Sequence, residues 1–426
     1  MPGPSARRDT SVSVTQAHPS TGLTNRAGQE RESAFSEPAG RRLKILFVTN
    51  WYPTLDEPAK AVWVREHAKA VQLYADVVVL HFAGTDAGLR TSSHVLPETN
   101  EVLNEGIPTY RVRHRRSRIP HLSYLYYVRG LFRAYRHLSD QGFRPHIIHA
   151  HIYDVGGPAV LLRRRHSIPV VVSEQFSSFP RQLLGPLDVF KAWLAFRWAH
   201  RVLPVSLALQ RAIETYGIHA HFQVVPNVAD TAIFAPPPAR EPTLPQRLLF
   251  VGQLVPIKGL PYLLHALSAL RHPRADWHLD IVGDGHARQI YESLAAELGL
   301  SANVSFHGLK TKREVAHLMR GADLFVLPSL CETFSAPSVE ALATGLPVLA
   351  TRCGGPEEFM RDGLGLLVPP GDTGALTEGL HSMLDHLPAY SRHEVAQYAR
   401  DHFSPEVVGA ILHAIYRSLD APKRSG

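Results

Sequence analysis

Two glutamates, Glu332 and Glu340, bracket a turn of small residues in CETFSAPSVEALATGLPV, residues 331–348. The preceding run DLFVLPS reads as a strand ending near Ser329, and the following helix is predicted to start at Ser335 or Ala336, with Ser335 as N-cap and Pro337 in the first turn. The backbone N–H groups of Thr333, Phe334 and Ser335 then sit at a helix N-terminus, where unsatisfied donors and the helix dipole bind phosphate. Carboxylates would repel that phosphate. Glu332, ahead of the helix, and Glu340, about one turn inside it, are better suited to accept hydrogen bonds from hydroxyls on either side. A sugar nucleotide has this layout of sugar, diphosphate and ribose.

Three further turns fall at predicted strand ends in the same half of the chain. VGQLVPIKGL carries Gly252, Gln253 and Lys258, a cation able to neutralise a departing diphosphate. IVGDGH carries Gly283 and Gly285, and CGGPEEF carries Gly354 and Gly355, residues that let backbone approach a ligand. Taken singly, each is an ordinary tight turn between strand and helix. Their recurrence at successive strand C-termini points to one shared site. In the first half, His151 closes the run HIIHAH.

These residues are positioned by an alternation of apolar runs and helical patterns. RRLKILFVTN, ADVVVLHFAG, HIIHAH, IPVVVSE and HRVLPVS read as buried parallel strands, with helices such as VWVREHAKAVQLY between them. A proline-rich stretch interrupts this pattern, which then restarts at RLLFVGQL. The expected organisation is a tail over 1–41, a first domain over 42–232, a linker over 233–245 and a second domain over 246–400. A C-terminal helix within 401–426 is expected to cross back to the first domain. Both domains are expected to be doubly wound α/β sheets facing each other across a cleft.

The formal net charge is +7, and the only cysteines are Cys331 and Cys353, which excludes a disulfide framework or a cysteine-based zinc site. The pairs His149/His151 and His219/His221 lack the accompanying ligands of a zinc site. No apolar run approaches the roughly 20 residues of a membrane span. The tail lacks the apolar segment of a secretory signal, so a cytoplasmic setting is expected. Residues 111–136 are rich in arginine, and Tyr127, Leu131 and Tyr135 recur at near-helical spacing, a pattern that can lie on an anionic membrane at its inner face. The competing reading is a helix whose tyrosines and leucines belong to the core. No specific nucleic-acid motif is present.

The stretch from Leu43 to about Asp372 resembles the retaining glycosyltransferases of family 4, which have the two-domain GT-B fold. The resemblance rests on ETFSAPSVE as an E-x7-E element, PNVADTAIF between the domains, Lys258-Gly259, VGDG, GLPVLAT and GGPEE. It implies that Glu340 holds the donor ribose, that Glu332 contacts the transferred sugar, and that the Thr333 to Ser335 amides bind the diphosphate. Lys258 would stabilise the leaving charge, with Gly252, Gln253, Gly283 and Gly285 also lining the donor site, and His151 would face the sugar across the cleft. Gln175 in SEQFSSFP and Lys60 in PAKAVW would lie on the acceptor side. The chain departs from the family pattern at Gln253, Gln175, Ala61 and Ser335, where relatives commonly have arginine, histidine, glycine and glycine.

The activity so implied is metal-independent, retaining transfer of a sugar from a UDP- or GDP-sugar to a glycan, lipid-linked or small-molecule acceptor, without a cofactor. Polysaccharide or glycoconjugate synthesis is the expected setting. The alternative is a sugar-nucleotide-binding protein of the same fold with weak catalysis. A phosphorylase or epimerase is less well supported, because no pyridoxal phosphate lysine context is found.

Overall fold

The computed structural model describes residues 42–57, 60–86, 93–115, 120–238, 244–271 and 274–421. The tail over 1–41, residues 116–119 of the arginine-rich stretch, residues 239–243 of the linker and the last five residues lie outside them. Seven strands make the first sheet: β1 (Lys44–Thr49), β2 (Asp76–Asp86), β3 (Ser93–Pro97), β4 (Thr109–Arg115), β5 (Ile147–His151), β6 (Val170–Glu174) and β7 (Arg201–Pro204). Their spatial order is β3-β4-β2-β1-β5-β6-β7, and every pair is parallel except β3 with β4. The intervening helices are α1 (Val62–Gln72), α2 (Glu101–Asn104), α3 (Pro120–Asp140), α4 (Tyr153–His166), α5 (Pro186–Trp198) and α6 (Leu207–Glu214).

The second sheet contains β8 (Gln246–Val251), β9 (Trp277–Val282), β10 (Val304–Phe306), β11 (Leu324–Leu327), β12 (Val348–Thr351) and β13 (Gly365–Val368). It is wholly parallel, in the order β10-β9-β8-β11-β12-β13. Its helices are α7 (Leu260–Leu270), α8 (Arg288–Glu297), α9 (Lys312–Gly321), α10 (Ala336–Ala343), α11 (Thr373–Asp385) and α12 (Arg392–Phe403), followed by α13 (Pro405–Asp420). Helices cover both faces of each sheet, so the central strands are apolar along their length: every residue of β5, β6, β11 and β12 is buried.

Strand order reverses at β1, which lies between β2 and β5, and at β8, which lies between β9 and β11. Ligands of open α/β sheets bind beyond the strand carboxyl ends at such reversals. His151 ends β5, while Lys258 and Glu332 follow β8 and β11, so the topology delivers all three to reversal points.

The chain leaves the first sheet through PNVADTAIF and returns after Phe403, and the two crossings are joined where Ala229 N donates to Phe403 O at 2.8 Å. The returning helix begins at Pro405. Val408, Leu412 and Tyr416 of α13 share a core with Ile45 and Phe47 of β1 and Val64 and Val71 of α1. Tyr416 Oη and His149 Nδ1 are 2.6 Å apart.

Helix α3 settles how the arginine-rich stretch uses its apolar side chains. Tyr127, Leu131, Ala134 and Leu138 are buried in the first domain, and Tyr127 Oη donates to Asn50 Oδ1 at 2.8 Å. Arg129, Arg133 and Arg136 are left exposed, with Tyr124 and Leu125 near the start of the helix. The membrane expectation for residues 111–136 loses Tyr127 and Leu131 to the core, which leaves Tyr124 and Leu125 as its exposed apolar side chains. Among the described residues, no helix is long and apolar enough to cross a membrane.

Candidate active site

Because β8 and β11 are neighbours, their C-terminal loops meet. Lys258, in the 3-10 turn Pro256–Lys258, places Nζ 2.6 Å from Glu332 Oε1. Ser329 Oγ donates to the same oxygen at 2.7 Å, and Leu330 N donates to Ile257 O at 2.8 Å. The Glu332 and Lys258 side chains are only 10% and 25% exposed, a setting in which a charge pair is held more firmly than at the surface. Oε1 takes both bonds, leaving Oε2 without a protein partner among the described residues.

The turn that follows runs into α10. Among the described residues, the N–H groups of Thr333, Phe334 and Ser335 have no protein acceptor, as anion donors at a helix start require. The Phe334 ring is buried against Phe359 and Phe403, with centroids 5.4 and 5.8 Å away, so its contribution to a site is its backbone. Ser335 occupies the N-cap position but does not cap with its side chain, contrary to the sequence reading. Its backbone is left-handed at φ 82° and ψ 79°, and Oγ lies 2.8 Å from Ser338 Oγ rather than on an N–H. Gly355 packs directly behind this turn: a Cβ there would lie 2.4 Å from Phe334 N.

Gly283 and Gly285 are each pressed against a neighbouring strand-end turn. Gly283 has φ 132°, and a Cβ on it would lie 1.9 Å from the carbonyl oxygen of Gly252; at Gly285 the obstacle is Leu254 O, at 2.4 Å. The glycines therefore let two strand-end turns touch, fixing the floor of the site. Gly252 N donates to Val282 O at 3.0 Å in the same contact, and Gln253 is exposed beside it.

Glu340 lies half-buried near the interdomain crossing, and burial pushes its carboxyl up to about 8; Lys312 opposes this, while Glu66 and Asp230 add to it. It is therefore mainly protonated at neutral pH, not the ionised acceptor the sequence suggested. The surrounding charges come from both domains. Lys312 Nζ of α9 reaches Glu66 Oε2 of α1 at 3.0 Å and Asp230 Oδ2 at 3.2 Å, and Lys69 approaches Asp230 at 3.5 Å. None of Glu66, Lys69 or Lys312 carries a motif, so nothing in the sequence singled them out. Asp230 could have been found, since it lies within PNVADTAIF.

His151 is buried, and neither of its ring nitrogens has a hydrogen-bond partner among the described residues. Its ring stacks on His149 at 4.4 Å. Burial, reinforced by His149 and His67, holds it well below the usual histidine range, so it is neutral. Glu174 was overlooked in the sequence although it lies within SEQFSSFP. Its buried carboxyl accepts from the N–H groups of Tyr153, Gln175 and Phe176 at 2.9, 2.9 and 2.8 Å, tying the start of α4 to the loop after β6. Burial, only partly offset by these bonds, pushes Glu174 up to about 7. Gln175 Nε2 is buried without a partner.

Lys60 is paired with Glu57 at 2.6 Å and stands on a cavity of about 800 Å³ in the first domain, together with Asn50, Arg111, Tyr127, Asp154 and Lys191. Gln175 is not among the residues lining it. The structure thus brings Lys258 and Glu332 into direct contact and sets Glu340 within electrostatic range of Lys312, Glu66 and Asp230.

Two doubly wound domains with a strand-end site of this kind define the GT-B fold. Among solved structures, Anabaena Alr3699/HepE in complex with UDP superposes with a TM-score of 0.70 at 21% identity, covering 88% of this chain and 100% of that one. The model of Glyco_transf_4, Glycosyltransferase Family 4, matches residues 75–233, and that of Glycosyl transferases group 1 matches residues 235–402. Together they span most of the chain, which belongs to the group 1 glycosyl transferases.

Among curated relatives, the MMP alpha-(1->4)-mannosyltransferase of Mycolicibacterium hassiacum is 39% identical over 165 residues, 38% of this chain and 39% of the relative. The putative teichuronic acid biosynthesis glycosyltransferase TuaC of Bacillus subtilis is 28% identical over 408 residues, 90% of this chain and 96% of the relative. The match spans 39% of the length of that mannosyltransferase and 64% of that of the glycogen synthases of Mycobacterium tuberculosis.

Proposed function

We propose that the protein is a retaining glycosyltransferase that moves a sugar from a nucleoside diphosphate sugar to a glycan, lipid-linked or small-molecule acceptor. The observation that carries this reading is the contact of Lys258 Nζ with Glu332 Oε1 at 2.6 Å, beside the unpaired N–H groups of Thr333 to Ser335. One cation and a row of backbone donors converge where a diphosphate would leave, and a carboxylate held by that cation stands beside the sugar. The bond from sugar carbon to phosphate oxygen breaks, and the diphosphate keeps the electron pair. The acceptor hydroxyl attacks from the same face and passes its proton to a phosphate oxygen. Lys258 and the amides offset the charge on the diphosphate without requiring a metal.

His151, neutral and without a hydrogen-bond partner among the described residues, is suited to exchange a hydrogen bond with a sugar hydroxyl. Glu340, protonated when unliganded, can both donate to and accept from a ribose diol. UDP is the ligand of the HepE structure, which makes a uridine donor the first to try. The cavity bordered by Lys60 is the assigned acceptor site.

The alternative of a weakly catalytic sugar-nucleotide binder draws on Ser335, whose left-handed backbone strains the diphosphate turn. Hydrolysis of a panel of UDP- and GDP-sugars without acceptor separates the two. Glu332→Gln and Lys258→Ala should each lower hydrolysis by roughly 10²-fold or more, with melting lowered by the buried charge each leaves unpaired yet still cooperative. Donor binding by thermal shift with no turnover of any sugar would favour the alternative, and a fully active Glu332→Gln would overturn the role of that carboxylate.

A further inference from the structure

Helix α5 is apolar on two sides. Ala192, Ala195 and Phe196 are buried in the first domain, and one such face suffices to hold a helix in place. The outward face carries Leu187, Phe190 and Trp193, which are 60%, 57% and 42% exposed, and Leu183 just before the helix is 58% exposed. Positions 187, 190, 193 and 197 follow at helical spacing, so they form one ridge. Phe190 and Trp193 stack along it with centroids 6.0 Å apart.

The ridge ends in cations. Trp198 lies beneath two guanidinium groups, that of Arg164 on α4 at 4.4 Å and that of Arg197 at 5.6 Å. Arg165 is exposed beside Arg164 on α4. Among the described residues, none of these three arginines has a carboxylate partner. The only acidic residues on α4 and α5, Asp154 and Asp188, both face Lys191, at 3.7 and 3.1 Å.

We propose that this face docks the protein on an anionic lipid bilayer. An apolar ridge edged with arginines that lack a carboxylate partner, on helices whose two carboxylates are both engaged by Lys191, fits a surface that is acidic outside and apolar beneath. Aromatic rings settle at the headgroup level of a bilayer and arginines pair with its phosphates. Helix α3 is less suited, because Tyr127, Leu131, Ala134 and Leu138 of its apolar side are in the core. Lys191, on the inner side of α5, lines the first-domain cavity. A docked bilayer therefore lies beside the assigned acceptor site, which suits an acceptor carried on a lipid. That last step rests on the transferase reading, and docking does not.

The test is flotation of the full chain with vesicles of phosphatidylglycerol and phosphatidylcholine, against vesicles of phosphatidylcholine alone. Wild type should float with the acidic vesicles and bind the neutral ones far less. Phe190→Glu with Trp193→Glu should weaken partitioning at least about tenfold, and Arg164→Glu with Arg197→Glu roughly fivefold per arginine. Arg129→Glu with Arg133→Glu on α3 should leave it nearly unchanged. Matched melting curves and unaltered donor hydrolysis verify folding at these exposed positions. Failure of wild type to float with acidic vesicles overturns the proposal, as does wild-type binding by the Phe190/Trp193 variant. A wild-type dimer that the same variant dissolves, with no vesicle binding, would assign the face to self-association and also overturn it. Intact flotation without any donor turnover would count against the transferase reading and leave docking standing.

Discussion

Glu340→Gln should stabilise the protein at alkaline pH while leaving its hold on a nucleotide nearly unchanged at neutral pH. The folded protein raises this carboxyl from the ordinary 4.5 to about 8, first through burial and then through Glu66 and Asp230, against the pull of Lys312. A folded value above the unfolded one means that stability is complete below about pH 4.5 and is lost as pH rises through 8, because the unfolded chain ionises first. Each pH unit in that interval is worth about 1.4 kcal/mol, so the loss is at most about 5 kcal/mol. The side chain is half-buried and keeps some hydration, which brings the working figure to ~2 kcal/mol. Glutamine never ionises and escapes the loss. Scanning fluorimetry should show coincident melting at pH 5 and a variant melting roughly 4–8 °C higher at pH 9. In parallel calorimetry at neutral pH, UDP or GDP should bind the variant about as tightly as wild type, because a glutamine amide donates and accepts as the protonated carboxyl does. A constant difference at all pH values, or a variant less stable at pH 9, would refute the electrostatic reasoning.

Other perturbations probe separate parts of the site. Lys312→Met strips the shared cation from Glu66 and Asp230; it should cost about 2–3 kcal/mol in urea unfolding, with Lys69 supplying partial compensation, and no loss would show that the domains are not tied there. Gly283→Ala drives a methyl into the Gly252 carbonyl at 1.9 Å and should cost about 3 kcal/mol or more, again read by unfolding. Ser335→Gly relieves a left-handed backbone at φ 82° and, after loss of the Ser338 bond, should gain about 1 kcal/mol in melting experiments. Donor hydrolysis is expected to continue at the same rate in EDTA, since Lys258 and the turn amides supply the positive field, and a rate restored only by added divalent ion would overturn that mechanism.

Features that depend on a few consecutive residues were legible from the chain alone. Apolar runs ending in turn residues located the strands around Phe47, His149 and Val326, and the step from DLFVLPS to a helix at Ala336 placed the turn proposed to hold the diphosphate, because strand, turn and helix preferences act locally. The order of motifs pointed to the family. What lay beyond reach required distances between segments far apart in the chain. The Lys258–Glu332 contact exists because β8 and β11 are adjacent in the sheet. Glu340 is protonated because folding moves it out of water and toward Glu66 and Asp230. Gly283 is confined by the neighbouring turn at Gly252, which glycine spacing cannot distinguish from a ligand. Periodicity likewise identifies an apolar face without saying what covers it: the core takes the face of α3 that bears Tyr127 and Leu131, and leaves that of α5 bearing Phe190 and Trp193 in solvent. The sequence by itself determined the local elements and the types of chemistry they carry; burial and charge at each site were decided only by tertiary packing, because both depend on which distant segments come to lie alongside.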